Sequence, residues 1–233
     1  MTEEEFYSAV YNLGITINDK QKDDLKKFAN LLLEYNKHTN ITAIRNLEGV
    51  YLKHFYDSLT LVKVYDFSRE VNILDVGSGG GFPGIVLGII FSNIKITLLD
   101  SNHKKSDFQK YIVDNLKLLN INVVHDRAEN YFKSGYKYDL VVARAVANLR
   151  ILSELCVPFV KINGKFIAMK GEVNSEIIEA NNAINVLGGR VEKIETFYLS
   201  KKNDLRNLIV VNKVKESPIG YPRIYDKIIK KPL

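Results

Sequence analysis

The stretch Val71-Asn-Ile-Leu-Asp-Val-Gly-Ser-Gly-Gly-Gly-Phe-Pro-Gly84 runs from a short apolar segment straight into a glycine-rich turn, and a helix-capable segment, Ile85 to Phe91, follows it. An apolar strand, a glycine turn and a helix in that order is how doubly wound α/β folds build a nucleotide pocket. Glycine has no Cβ and tolerates positive φ, so the backbone there can come close to a ligand. Gly77, Gly79 and Gly81 are therefore candidate cofactor contacts. The same turn is compatible with a plain tight connection, so its surroundings must decide.

Downstream of the turn, apolar runs alternate with helix-like segments, the pattern of a parallel sheet covered on both faces. Strands are expected at Val71–Val76, Lys95–Leu99, Ile121–His125, Leu140–Ala143 and Lys165–Met169, with helices near Ile85–Phe91, Lys104–Leu119, Leu149–Val160 and Ser175–Leu187. After Gly188-Gly189 the rhythm changes. Arg190–Leu199 and Leu205–Val214 are two strand-like runs separated by five polar residues, a hairpin spacing. A mostly parallel sheet that ends in an antiparallel hairpin is the Rossmann-like arrangement of class I S-adenosylmethionine-dependent methyltransferases. It is unlike ordinary dinucleotide-binding domains.

Upstream, Thr2 and Glu5 have the spacing of a capping box, so a short helix should run to about Leu13 and stop near Gly14. Leu25, Phe28, Ala29, Leu32 and Tyr35 recur at helical spacing and mark a second helix, and Leu47 to Val64 reads as a third, carrying Tyr51, His54, Phe55 and Ser58. The expected division is an N-terminal helical extension (1–68), a methyltransferase domain (69–216) and a basic tail (217–233).

Length and composition narrow the class. At 233 residues, 46% hydrophobic and 26% charged, the chain suits one sizeable α/β core plus an extension. No apolar run approaches the roughly 18 residues of a membrane span, and Met-Thr-Glu-Glu-Glu lacks the basic start of a secretory signal. A cytoplasmic protein with no membrane partner and no obligate protein partner is expected. Cys156, the only cysteine, lies in an apolar run and reads as a buried hydrophobe. The four histidines show no metal-binding spacing, so no metal is expected. The net charge of +6 is concentrated: Ser200 to Leu233 holds nine Lys/Arg against three Asp/Glu, which leaves the rest neutral. Such a tail suits a polyanionic partner, or simply a solvated surface.

In a doubly wound sheet ligands lie beyond the carboxyl ends of the strands. Asp100 follows the second strand and can accept hydrogen bonds from ribose hydroxyls, in an adenosylmethionine or an NAD ligand alike; it could also cap the next helix, as could Ser101 or Asn102. Asp126-Arg-Ala-Glu129 follows the third strand and is placed to meet the adenine. Arg144 interrupts an apolar run at the end of the fourth strand, where an unpaired charge would be costly to bury, and it calls for a carboxylate or phosphate partner.

With these pieces in place the chain resembles, over nearly its whole length, the bacterial 16S ribosomal RNA guanine-N7 methyltransferases, the glucose-inhibited division protein B family. The matching segments are Asn36-Lys-His-Thr-Asn-Ile-Thr42, His54-Phe-Tyr-Asp-Ser58, the glycine turn with its Phe-Pro-Gly, Leu98-Leu-Asp-Ser101, Arg127-Ala-Glu129, Ala143-Arg-Ala145, Lys170-Gly171 and the terminal Tyr221-Pro-Arg with Lys-Pro-Leu233. The resemblance implies that Gly77, Phe82, the backbone at Ala128-Glu129, and Arg144 contact S-adenosylmethionine, and that the acceptor is N7 of a specific guanine of 16S RNA, in the 30S subunit or an assembly intermediate. The tail departs from the family pattern between Tyr-Pro-Arg and Lys-Pro-Leu.

Guanine N7 carries an in-plane lone pair, so no base must first remove a proton. That suits a chain with no cysteine pair for C5 chemistry and no Asn/Asp-Pro-Pro-Tyr motif for exocyclic amines. Arg144 is expected to act at the cofactor end of the pocket, with Lys170 or His54 orienting the guanine through O6. RNA binding is assigned to Lys201, Lys202, Arg206, Arg223, Lys227, Lys230 and Lys231, with Tyr221 or Tyr225 available for stacking. The alternatives are a methyltransferase of this fold acting on another RNA base or on a protein, an NAD-dependent oxidoreductase, and an RNA-binding module with a vestigial pocket.

Overall fold

The computed structural model describes residues 1–144, 147–173, 175–200 and 204–233. One sheet carries the strands β1 (Asn72–Val76), β2 (Lys95–Asp100), β3 (Ile121–His125), β4 (Tyr138–Arg144), β5 (Val160–Lys170), β6 (Gly189–Tyr198) and β7 (Leu205–Lys213). Their spatial order is β3-β2-β1-β4-β5-β7-β6. The first five pair in parallel, and β7 runs antiparallel between β5 and β6. The chain moves outward from β1 to β3 and then returns to the other side of β1, so the order reverses between β1 and β4. That reversal opens a crevice beyond their carboxyl ends.

The sheet is buried on both faces because its strands alternate with period two. Ile73, Leu140, Val142, Ile167, Met169, Leu208 and Val210 face one core; Leu74, Val141, Ala143, Phe166, Ala168, Ile209 and Val211 face the other. The helices are α1 (Glu3–Asn12), α2 (Asp19–Tyr35), α3 (Leu47–Val50), α4 (Asp57–Leu59), α5 (Gly84–Ile90), α6 (His103–Leu116), α7 (Ala128–Tyr131), α8 (Leu149–Cys156), α9 (Glu176–Val186) and α10 (Tyr225–Lys230). The N-terminal helices share the first core with α5 and α6, while α8 and α9 cover the second. Among the described residues no helix is long and apolar enough to cross a membrane.

Local chemistry explains the helix starts. Thr2 and Glu5 form the expected reciprocal capping box of α1, and Asn18 with Gln21 forms another at α2. Gln21 Nε2 also donates to the carbonyl of Ile90 at 2.9 Å, tying the extension to the end of α5. Phe28 of α2, fully buried, stacks on Phe55 and on Phe82 of the glycine turn. Burial of one such side chain is worth about 1.5–3 kcal/mol.

Three expectations needed revision. The region Leu47–Val64 is helical but irregular: α3 opens into a π-helical turn, Tyr51–Tyr56, which tightens through α4 into a 3₁₀ turn, Thr60–Lys63. Such wide turns are rare and occur frequently at functional sites. Strand β5 starts at Val160, earlier than expected, because a register shift after Tyr138 accommodates a bend in which Asn163 has φ +67°. Helices α7 and α10 were not foreseen, being too short for periodicity to reveal.

Candidate active site

Gly77, Gly79 and Gly81 have φ of +68°, +59° and +85°, a conformation that favours glycine, and Gly77 N donates to Leu99 O at 2.7 Å. The turn distributes two needs over its glycines. A Cβ at Gly81 would lie 2.3 Å from Ile85 Cδ1, and one at Gly84 would lie 2.2 Å from Leu98 Cδ2, so packing of α5 excludes any side chain there. At Gly79 an added Cβ meets nothing nearer than Gly77 O at 3.9 Å, so the backbone faces open space. Buried polar groups hold the turn. Gln109 of α6 donates to Gly79 O (2.7 Å) and Ser78 Oγ (2.9 Å), and Asp75 accepts from Gly84 N at 2.8 Å. Burial pushes the Asp75 carboxyl up to about 7. Gln109 was not anticipated, since a helical glutamine carries no local sign of a partner thirty residues away.

Asp100, almost fully buried, accepts from Gly79 N and from Asn102 N, each at 2.8 Å. Asn102, not Asp100, caps α6. A carboxylate offers about four lone-pair sites, so Asp100 retains capacity for two ribose hydroxyls. Beside it lies a cavity of about 210 Å³ lined by Gly77, Ser101, Asp126, Ala128, Glu129 and Tyr225, among others. That volume is below the roughly 300–1,000 Å³ of common small-molecule pockets. Its size suits a nucleoside, and a longer ligand would extend along the open backbone at Gly79. Positive-φ glycines, a strand-end carboxylate and this cavity together suit S-adenosylmethionine. A larger hollow of about 920 Å³ opens at the amino ends of the strands, near Asn72, Lys95 and Tyr138, on the side where doubly wound sheets do not bind ligands.

Arg144 has the carboxylate partner its burial demanded. Its Nη1 donates to Asp57 Oδ2 at 3.0 Å and to Lys53 O at 3.0 Å, while Nη2 reaches His54 Nδ1 at 3.2 Å. Asp57 is 3% exposed and is shared, since Arg206 Nε of β7 donates to its other oxygen at 3.0 Å. One buried carboxylate thus joins the end of β4, the π-helical turn and the hairpin. An arginine only donates, so His54 Nδ1 must accept; the ring proton sits on Nε2 and goes to Thr42 Oγ1 at 2.8 Å. Burial first and Arg144 second push the imidazole down to about 3, so His54 is neutral at physiological pH. Its ring stacks on Phe82 at 4.2 Å. Asn36 explains the segment before Thr42: its amide bonds the backbone of Ile41, Thr42 and Ile44, folding the loop that delivers the threonine.

Several candidates stand differently from their expected roles. Both ring nitrogens of His54 are engaged, leaving none for a guanine O6. Phe82 is 4% exposed and its ring is packed among His54, Phe28 and Phe55, so its backbone is the part near the cleft. Lys170 bonds Ala147 O at 2.8 Å and pairs with Glu176 at 2.9 Å, which leaves one ammonium hydrogen. Arg206 and Arg223, expected to meet RNA, are already committed to Asp57 and to the buried Glu154. Lys227, Lys230 and Lys231 are exposed, as expected of phosphate contacts. Lys201 and Lys202 lie outside the described residues.

The sheet order and the terminal hairpin have the architecture of class I S-adenosylmethionine-dependent methyltransferases, with the cleft at the strand ends. A precorrin-6y methyltransferase from Geobacter metallireducens superposes with a TM-score of 0.52 at 17% identity, covering 67% of this chain and 88% of that one. A mutant of MtNAS in complex with S-adenosylmethionine superposes with 0.57 at 17% identity, covering 84% and 76%. The family model described as rRNA small subunit methyltransferase G matches residues 21–216. The ribosomal RNA small subunit methyltransferase G of Brevibacillus brevis is 42% identical over 237 residues, covering 100% of both chains. The chain belongs to the rRNA small subunit methyltransferase G family.

Proposed function

We propose that the protein transfers the methyl group of S-adenosylmethionine to N7 of a specific guanine in 16S ribosomal RNA. The observation that carries this reading is the full-length family match joined to a glycine cleft suited to that cofactor. Bound there, the cofactor supplies an electrophilic methyl on a sulfonium. The chain's own task is placement. Backbone at Gly77 and the Asp100 carboxylate would hold the nucleoside end, the open backbone at Gly79 would take the remainder, Ala128 and Glu129 would border the adenine, and Arg144, fixed by Asp57, stands at the mouth formed by β4 and the π-helical turn. Lys170 keeps one donor for guanine O6 and leaves the N7 lone pair free.

No proton leaves N7 during alkylation, and the site is built accordingly. His54 is neutral and has both nitrogens occupied, so it neither gives nor takes a proton, and it serves to position Arg144 and Phe82. Orientation of two bound reactants can supply about 7–11 kcal/mol of barrier lowering. The exposed Lys227 and Lys230 on α10, and Lys231 just beyond it, offer phosphate contacts. An enzyme acting on small-subunit RNA works where ribosomes assemble, in the bacterial cytoplasm, on the 30S subunit or a precursor.

The test is incubation with radiolabelled S-adenosylmethionine and 30S subunits from cells lacking this modification, followed by separation of RNA from protein. Label in 16S RNA supports the proposal. Label in ribosomal protein, or none despite cofactor binding, would redirect it to another acceptor.

A further inference from the structure

The residues following β7 form a strap whose attachments are specific. It leaves the sheet at Lys213, fully buried, whose amine donates to Val157 O, Leu187 O and Ser217 Oγ. Farther on, Arg223 grips Glu154 of α8. Its backbone N and Nε both donate to Oε1, at 2.9 and 2.8 Å, and Nη2 donates to Oε2 at 2.6 Å. Glu154 is fully buried, so this bidentate pair has little water to compete with it. At the terminus, Arg150 of α8 donates to Leu233 O and Pro232 O, and Ile228 of α10 is fully buried in the second core. These contacts hold the strap against α8 along its length.

Between the Arg223 clamp and Ile228 lies Tyr225, and it is the strap's contribution to the 210 Å³ cavity beside Gly77 and Ala128. Its backbone N donates to Glu129 Oε1 at 3.3 Å, and the Arg127 guanidinium lies over its ring at 5.5 Å. A tyrosine lining a nucleoside-sized cavity, with an arginine over its ring and its backbone held by the Glu129 carboxylate, has the chemistry to pack against a flat heterocycle.

We propose that the C-terminal strap forms a wall of the cofactor's adenosine pocket, and that Tyr225 packs against the bound nucleoside. This rests on the reading that S-adenosylmethionine occupies the cleft, and it gives the strap a role apart from RNA binding. Arg223 and Glu154 are then positioning residues, which set the ring through the clamp.

Titration calorimetry with S-adenosylhomocysteine, without RNA, tests it. Tyr225→Ala should weaken binding about tenfold or more, the loss expected when an aromatic face is removed from a base. Tyr225→Phe should bind as the wild type does, and Arg223→Gln should weaken binding without touching the cavity. Lys230→Ala with Lys231→Ala should leave this affinity unchanged. The chain has no tryptophan, so Tyr225→Trp creates a single reporter whose emission should change saturably on titration. This second readout stands even if Tyr225→Ala folds poorly. Wild-type binding with equal affinity in a folded Tyr225→Ala variant, or Tyr225→Trp emission indifferent to bound ligand, would overturn the strap. Wild-type protein that binds no S-adenosylhomocysteine would overturn the cofactor reading beneath it.

Discussion

Asp57→Asn perturbs the site at its most connected point while leaving shape almost unchanged. Asp57 is 3% exposed and carries two arginines at 3.0 Å each, Arg144 from β4 and Arg206 from β7. An amide can accept from one of them, but its NH₂ then faces the other, and both guanidiniums lose their counter-charge. Removing one partner of a buried ion pair costs about 3–5 kcal/mol. The arginine side chains are 14% and 21% exposed, so water recovers part of that loss and the lower end, about 3 kcal/mol, applies. For a chain of this size that corresponds to a Tm lower by about 6–12 °C. The assay is thermal unfolding by circular dichroism at pH 7 in low and high salt. A second measurement places Arg206→Gln in both backgrounds: the arginine change should cost much less once Asp57→Asn is present, because the pair is already broken. A Tm within about 2 °C of wild type, or additive effects, would refute the view that this carboxylate ties the hairpin to the π-helical turn.

Gly81→Ala should be destabilising by at least about 1–3 kcal/mol, since the new Cβ would meet Ile85 at 2.3 Å in a backbone with φ +85°, and should abolish S-adenosylhomocysteine binding by calorimetry. The pH dependence of stability holds two opposing limbs. His54 drops from 6.5 to about 3 on folding, so the unfolded chain binds the extra proton; this contribution is full above pH 6.5 and is lost as pH falls toward 3. Asp75 rises from 3.8 to about 7, so the folded chain holds the extra proton, and its contribution is full below pH 3.8 and lost as pH rises through 7. Asp75→Asn should therefore expose the acid-sensitive limb of His54, and His54→Gln the alkaline-sensitive limb of Asp75, in Tm measured from pH 4 to 8; unchanged curves would remove the buried-group assignment. Replacing Lys227, Lys230 and Lys231 by glutamate should weaken binding to 16S RNA and flatten its salt dependence, while identical filter-binding isotherms at two salt concentrations would remove α10 from the RNA surface.

What could be read from the residues alone was what is encoded locally. The strand β1 and the glycine turn announce themselves through a short apolar run and glycine spacing, and the Thr2–Glu5 box marks α1 because its hydrogen bonds span three residues. The hairpin was legible because five polar residues cannot hold a crossover. Arg144 was read as needing a partner, and its partner Asp57 stood in a quoted motif, yet nothing local links positions 57, 144 and 206. The π-helical turn has no period of its own in the sequence. The anchoring of the strap was illegible for a related reason. Charge counting makes Arg223 look solvated, whereas the buried Glu154 that fixes it lies on α8. Gln109 was likewise found only when the fold set it against the turn, and Tyr225, read from the sequence as an RNA-stacking candidate, met the cavity only in the fold.

The central claim is the methyl acceptor. Its most direct test is digestion of 16S RNA methylated in vitro by this protein to nucleosides, with mass spectrometric identification of the methylated species and mapping of its position. One 7-methylguanosine at a single site, absent when Arg144→Ala replaces the wild type, is the expected result. Methylation on an exocyclic amine, on C5 of a pyrimidine, or on protein would contradict a site that positions a lone pair and moves no proton.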